Sequence, residues 1–185
     1  MTTNFKNILI YILLLLPLLA NSQEKEGFKF DREKLYTGGN FGLQFGTYTL
    51  IDISPVIGYF ITEKLSIGTG VVYQFYGFKD KAFPINNFKT NIYGGKMFLR
   101  YHIFENIFAH TEYEALNLET QFFDRTNLRH STTRFWVHSV LVGGGYRQRI
   151  GDYSSLNIML LYNINETVDS PYRNPIFRMG FNIGL

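Results

Sequence analysis

From Thr37 to the C-terminus, apolar and polar residues alternate with a period of two. The stretch Thr90–Glu119 shows the pattern best. In its first half Gly94, Lys96, Phe98, Arg100 and His102 share one face, while Tyr93, Met97, Leu99, Tyr101 and Ile103 share the other. In its second half His110, Glu112 and Glu114 oppose Ile107, Ala109, Thr111, Tyr113 and Ala115. Alternation of this kind marks a β-strand whose two faces meet different surroundings. The break at Glu105-Asn106 predicts a hairpin turn between two charged strands.

The same rhythm recurs along the chain. Alternating runs cover Thr37–Phe45, Leu50–Ile61 and Leu65–Tyr76 before the hairpin, then Arg134–Ile150, Ser155–Ile164 and Pro175–Leu185 after it. Eight strands are therefore predicted. Short turns separate some of them (Thr62-Glu63-Lys64, Gly151–Ser154), and longer polar loops separate others (Gly77–Lys89, Thr120–Thr133, Asn165–Asn174). Strands without intervening helical patterns point to an all-β, antiparallel up-and-down arrangement that closes into a barrel.

Period two does not say which face looks inward. A soluble barrel buries its apolar face, whereas an outer-membrane barrel turns that face to lipid. Three features favour the second. The polar face is not a solvent face: the third run offers Ser66, Gly68, Gly70, Val72 and Gln74, without the dense charge of a soluble exterior. The connections alternate short and long, as periplasmic turns and outer loops do. Aromatic residues gather on the apolar face (Tyr59, Tyr73, Tyr93, Tyr101, Tyr113, Trp136, Tyr146, Tyr162), as in girdles at the two water–lipid boundaries.

The N-terminus changes the picture further. Lys6 precedes an apolar run from Ile8 to Ala20, with small residues at Ala20 and Ser22, the layout of a secretory signal peptide cut after Ser22. Residues 1–22 are read as that signal, 23–34 as a charged periplasmic tether and 35–185 as the barrel. The 185-residue chain has a net charge of +3, and removal of Lys6 with the leader leaves +2. Neither that charge nor any cluster of basic residues fits a nucleic-acid partner. The chain has no cysteine, so disulfides do not stabilise it and the leader is not a lipoprotein signal.

Three segments carry a family resemblance: GGNFGLQFGTYTLIDISPVIGYFITEKLSIGTGVVYQFY (Gly38–Tyr76), VLVGGGYRQRIG (Val140–Gly151) and the terminal FRMGFNIGL (Phe177–Leu185). With them the chain resembles the small outer membrane protein beta-barrel family abundant in Bacteroidetes, akin to OmpA/OmpX-type eight-stranded barrels. The resemblance implies an eight-stranded transmembrane barrel in the outer membrane of a Gram-negative cell. It also implies recognition by the barrel-insertion machinery through the last strand, where Phe181, Ile183 and Leu185 alternate to the C-terminus. It implies little about function.

Candidate chemistry lies on the polar face. If that face lines the lumen, Lys96, Arg100, Arg147, Arg149 and Arg178 share it with Asp52, Glu112 and Glu114. Charges in so narrow a space must pair, which predicts a salt-bridged plug; a gated proton or ion path is the alternative. Glu112 and Glu114 project together from one strand, a weak basis for acid–base catalysis. His102 and His110 flank the hairpin turn without a third metal ligand in view. His130-Ser131 beside Asp124 is the sole hint of a lipid-modifying enzyme, and Gly143–Gly145 lacks the spacing of a phosphate-binding loop. No catalytic residue, metal or cofactor is expected.

The loops lean basic and aromatic. Lys79, Lys81 and Phe83 in one, and Phe122, Phe123, Arg125 and Arg129 in another, are candidate contacts for lipopolysaccharide or for a larger envelope complex. Tyr172 in the third loop is grouped with them. The expected role is structural or interactive rather than enzymatic, with a lipid-modifying enzyme or a small gated pore as alternatives.

Overall fold

Each alternating run forms a strand, and each strand pairs with its sequence neighbours. In the computed structural model, β1 (Leu35–Gln44), β2 (Tyr48–Phe60), β3 (Leu65–Phe78), β4 (Phe88–His102), β5 (Ile107–Glu119), β6 (Arg134–Arg149), β7 (Ser154–Asn163) and β8 (Ile176–Gly184) close into one antiparallel barrel. The seam is the β1–β8 ladder from Tyr36↔Gly184 to Phe41↔Met179, extended by the Leu185 amide donating to Leu35 O at 3.0 Å. Closure gives every strand a partner on both sides. The structure describes residues 30–44, 48–78, 88–120 and 133–185. Arg32–Leu185 form one compact unit; of the preceding unit, Met1–Asp31, only Phe30 and Asp31 are described. The leader expected at 1–22 therefore lies outside the described residues, and so does most of the tether, whose end makes a 3-10 turn at Arg32–Lys34.

The two ends of the barrel differ. At one end the turns 61–64, 103–106 and 150–153 are short. The hairpin turn is wider than the Glu105-Asn106 pair expected, because His102 is the last β4 residue in the ladder and the Ile103 amide already donates to Ile107 O at 2.9 Å. Thr62 Oγ1 accepts from the Leu65 amide at 2.9 Å in the β2–β3 turn. Gly151 takes φ 77° in the β6–β7 turn, where a side chain would be strained. At the other end the connections 79–87, 120–133 and 164–175 are long, and only 45–47 is short.

Side chains split by face as the alternation requires. Met97 (65% exposed), Leu160, Phe177, Ile53 and Val71 point outward, while Lys96, Glu112, Glu114, Ser139 and Asn157 are almost wholly buried inside. The polarity of a soluble protein is inverted. Outward hydroxyls are folded back on the sheet: Thr69 Oγ1 donates to Lys96 O at 2.9 Å and Thr37 Oγ1 to Val56 O at 3.2 Å. At the long-loop end of the wall, Arg134 lies 4.5 Å over the Tyr93 ring and bonds Glu119, Asn117 and the Asn91 carbonyl. Tyr73 donates to Asn91 beside it at 3.0 Å, and Trp136 is exposed nearby. Tyr101 and Tyr146 stand toward the short-turn end. Tyr113 is not part of a girdle: its register partner is Met97, midway along the wall, where its hydroxyl meets His138 Nδ1 at 2.7 Å.

Candidate functional site

The lumen is filled in layers. Nearest the long loops is an apolar layer that the reading of the polar face did not foresee: Leu50, Val72, Ile92, Leu116, Leu118, Val137, Leu161 and Ile176 are buried together. They occupy inward positions of otherwise polar strands, so in sequence they look like interruptions of the pattern. They lie on the long-loop side of the charged layer, which a cavity of about 160 Å³ lined by Leu50, Asp52, Tyr172 and Arg178 also reaches.

That layer is built around Arg178 of β8. Its Nη1 donates to Glu112 and its Nη2 to Glu114 at 2.9 Å, with Asp52 Oδ2 at 4.0 Å. Glu112 also faces Lys96 Nζ at 3.3 Å and His110 Nε2 at 3.4 Å. Asp52 accepts from Ser54 and, at 2.8 Å, from Gln74 Nε2. The guanidinium thus makes charge-assisted bonds to two separate carboxylates of β5 and stands near a third on β2.

Tyr172 completes the network. It belongs to the β7–β8 connection, yet it is 4% exposed, its hydroxyl donating to Glu114 Oε2 at 2.7 Å and accepting from Arg178 Nη2 at 3.1 Å and from Gln74. Burial, and then the Glu114 carboxylate beside it, hold this phenol well above its usual range, so it remains a donor. Its grouping with the outer-loop contact residues is therefore corrected: the loop turns the ring down into the barrel. A tyrosine in an aperiodic segment carries no sequence signal for such a role.

Toward the short turns the chemistry changes. Arg100 lies 4.5 Å over Phe108 and 5.6 Å over Phe98, with Nη2 3.8 Å from Met159 Sδ. With the Asn182 amide oriented to satisfy its neighbours, its oxygen accepts from Arg100 Nη1 at 3.0 Å. His102 meets the Phe108 ring tilted and His110 meets it edge-on, with centroids at 5.8 and 6.4 Å. No metal-binding group of three occurs among the described residues. Arg147 is half-buried at the mouth, with Nη1 3.4 Å from His102 Nε2.

Arg149 requires a correction. It shares the inward side but is exposed at the rim. Ile107, the first residue of β5, pairs with Tyr146, so β6 overhangs β5; the Arg147 amide still donates to Asn106 O at 2.7 Å, and Gln148 and Arg149 pair only with β7. The structure thus gathers Asp52, Lys96, Glu112, Glu114 and Arg178, sets Arg100 and Arg147 apart below them, and leaves Arg149 outside. Lys79, Lys81, Phe83, Phe122, Phe123, Arg125 and Arg129 lie outside the described residues, as do Asp124, His130 and Ser131.

A scan against protein-family models finds no match, and a search of curated proteins finds none. Among solved structures, the chain is similar to the N-terminal beta-barrel domain of Pseudomonas aeruginosa OprF. The TM-score is 0.44 at 12% identity, over 82% of this chain and 96% of that one. So distant a likeness says nothing about what this chain does.

Proposed function

We propose that this protein is an integral outer-membrane barrel with a sealed lumen, and that its role is structural or interactive rather than enzymatic. The observation that carries the reading is the inverted polarity: an apolar, exposed wall around a buried, paired charge network. Water cannot solvate such a wall without a large exposed apolar area, and lipid can. On β4 the polar and aromatic belt at Tyr93 stands eight residues from Tyr101. At about 3.4 Å per residue and a tilt near 40° that is ~21 Å of height, close to the ~25 Å apolar band of outer-membrane barrels.

The lumen supports the non-conducting reading. A water-lined path would leave its charges accessible, yet Glu114 is 0% and Lys96 2% exposed. Eight strands leave room for side chains and little else. Work then falls to the wall, the loops and the two mouths. We assign contact with lipopolysaccharide or an envelope complex to the long loops, and recognition by the insertion machinery to β8; kinship with the small outer-membrane barrels of Bacteroidetes belongs to the same reading.

Purified protein reconstituted in planar bilayers is expected to give no steady conductance above background. A stable open channel would overturn the sealed lumen and favour the pore.

A further inference from the structure

The short-turn mouth of the barrel solves its charge problem differently from the centre. A cavity of about 500 Å³ opens there, lined by Glu63, Lys64, His102, Ile103, Phe104, Glu105, Arg147 and Arg149. In the central layer every carboxylate has a cation beside it. At the mouth, among the described residues, none of Lys64, Arg147 and Arg149 has an ion-pair partner within 4.0 Å. Glu63 and Glu105 are exposed in the turns and pair with none of them.

Arg147 is the centre of this cavity. Its Nε is shielded from solvent and makes no hydrogen bond. Its Nη1 meets His102 Nε2, and His102 Nδ1 lies 3.3 Å from Lys64 O. If the Nδ1–H donates to that carbonyl, the ring is fixed with Nε2 free to accept from the guanidinium. Arg149 follows two positions on, on the same side of β6, and Arg100 lies in the layer above. Gathering like charges in a half-buried space is costly unless an anion joins them.

The geometry points to a phosphate-binding site at this mouth, in which Arg147 and Arg149 hold the oxyanion and Lys64 contributes a third cation. A guanidinium offers two parallel N–H donors, the fork that matches phosphate oxygens. The phosphate could come from solution or from a phospholipid headgroup in the leaflet beside the short turns. Only the headgroup source depends on the barrel residing in a membrane.

The test is thermal unfolding of the folded barrel in uncharged micelles at constant ionic strength. In one arm chloride is exchanged for inorganic phosphate; in the other, phosphatidylglycerol replaces diacylglycerol in the micelle. The wild type is expected to show a saturable rise in midpoint with phosphate, with phosphatidylglycerol, or with both, the responding arm identifying the source. K89Q, which removes an exposed cation at the opposite, long-loop end, should respond like the wild type. The R147Q/R149Q variant should lose the rise, with apparent affinity at least tenfold weaker. Should that variant not fold, R147K keeps the charge without the fork and should bind several-fold more weakly. No rise in either arm, or an equal rise in the arginine variants, overturns the proposal.

Discussion

Arg178→Met is expected to destabilise the barrel by about 3–5 kcal/mol, the cost of leaving buried charges without their partner. Arg178 is the group that Asp52, Glu112 and Glu114 share, and with it gone Glu112 keeps Lys96 and His110 beside it while no cation within 4.0 Å remains for Asp52 or Glu114 among the described residues. Tyr172 would also lose the guanidinium at 3.1 Å from its hydroxyl. Adding Glu114→Gln to Arg178→Met should recover part of the loss, because Glu112 keeps Lys96 while the other stranded β5 carboxylate is then neutral. Urea unfolding in micelles measures both variants. A loss below about 1 kcal/mol for Arg178→Met would be the behaviour of a solvated surface pair, and the sealed layer would be wrong.

Gly94→Val and Gly143→Val should block assembly rather than merely weaken the barrel. A Cβ on Gly94 would lie 2.0 Å from Ala115 O, and one on Gly143 2.1 Å from Leu160 O. Both obstacles are backbone atoms of the neighbouring strand, so relief requires opening the ladder. Gly95 offers the control: it faces outward, and its Cβ would stand 3.8 Å from Gly70 O. A closed barrel resists detergent until boiled, so the folded fraction can be read from gel mobility before and after heating. Gly95→Ala should fold like the wild type, and the two valine variants should yield at least tenfold less folded protein. Normal folding of Gly94→Val would mean that the strands lie farther apart than described.

Much of this arrangement is legible in the sequence, for a definite reason. Alternation at period two assigns Lys96, Arg100, Glu112 and Glu114 to one face without any knowledge of the fold. The contrast between short and long connections then orders the ends. What alternation cannot give is adjacency across the lumen. Arg178 meets Glu112 and Glu114 although β5 and β8 are not neighbours in the sheet, and that meeting depends on the stagger of the closed barrel. The same stagger leaves β6 overhanging β5, which is why Arg149 shares the face of Arg147 but stands more exposed, at the rim of the same mouth. Tyr172 enters from an irregular connection where periodicity says nothing. The apolar layer from Leu50 to Ile176 was hidden for the opposite reason: its residues are ordinary strand formers, and only position distinguishes them from the wall.

The central claim is that the apolar wall faces hydrocarbon, and the absence of cysteine makes it directly testable. Met97→Cys and Tyr153→Cys each take a single spin label, one midway along the wall and one in a short turn. In bilayers, the label at position 97 should collide readily with dissolved oxygen and hardly at all with a water-soluble nickel chelate, while the label at 153 should show the reverse. If position 97 is as accessible to the chelate as position 153, the wall faces water and the membrane account is contradicted.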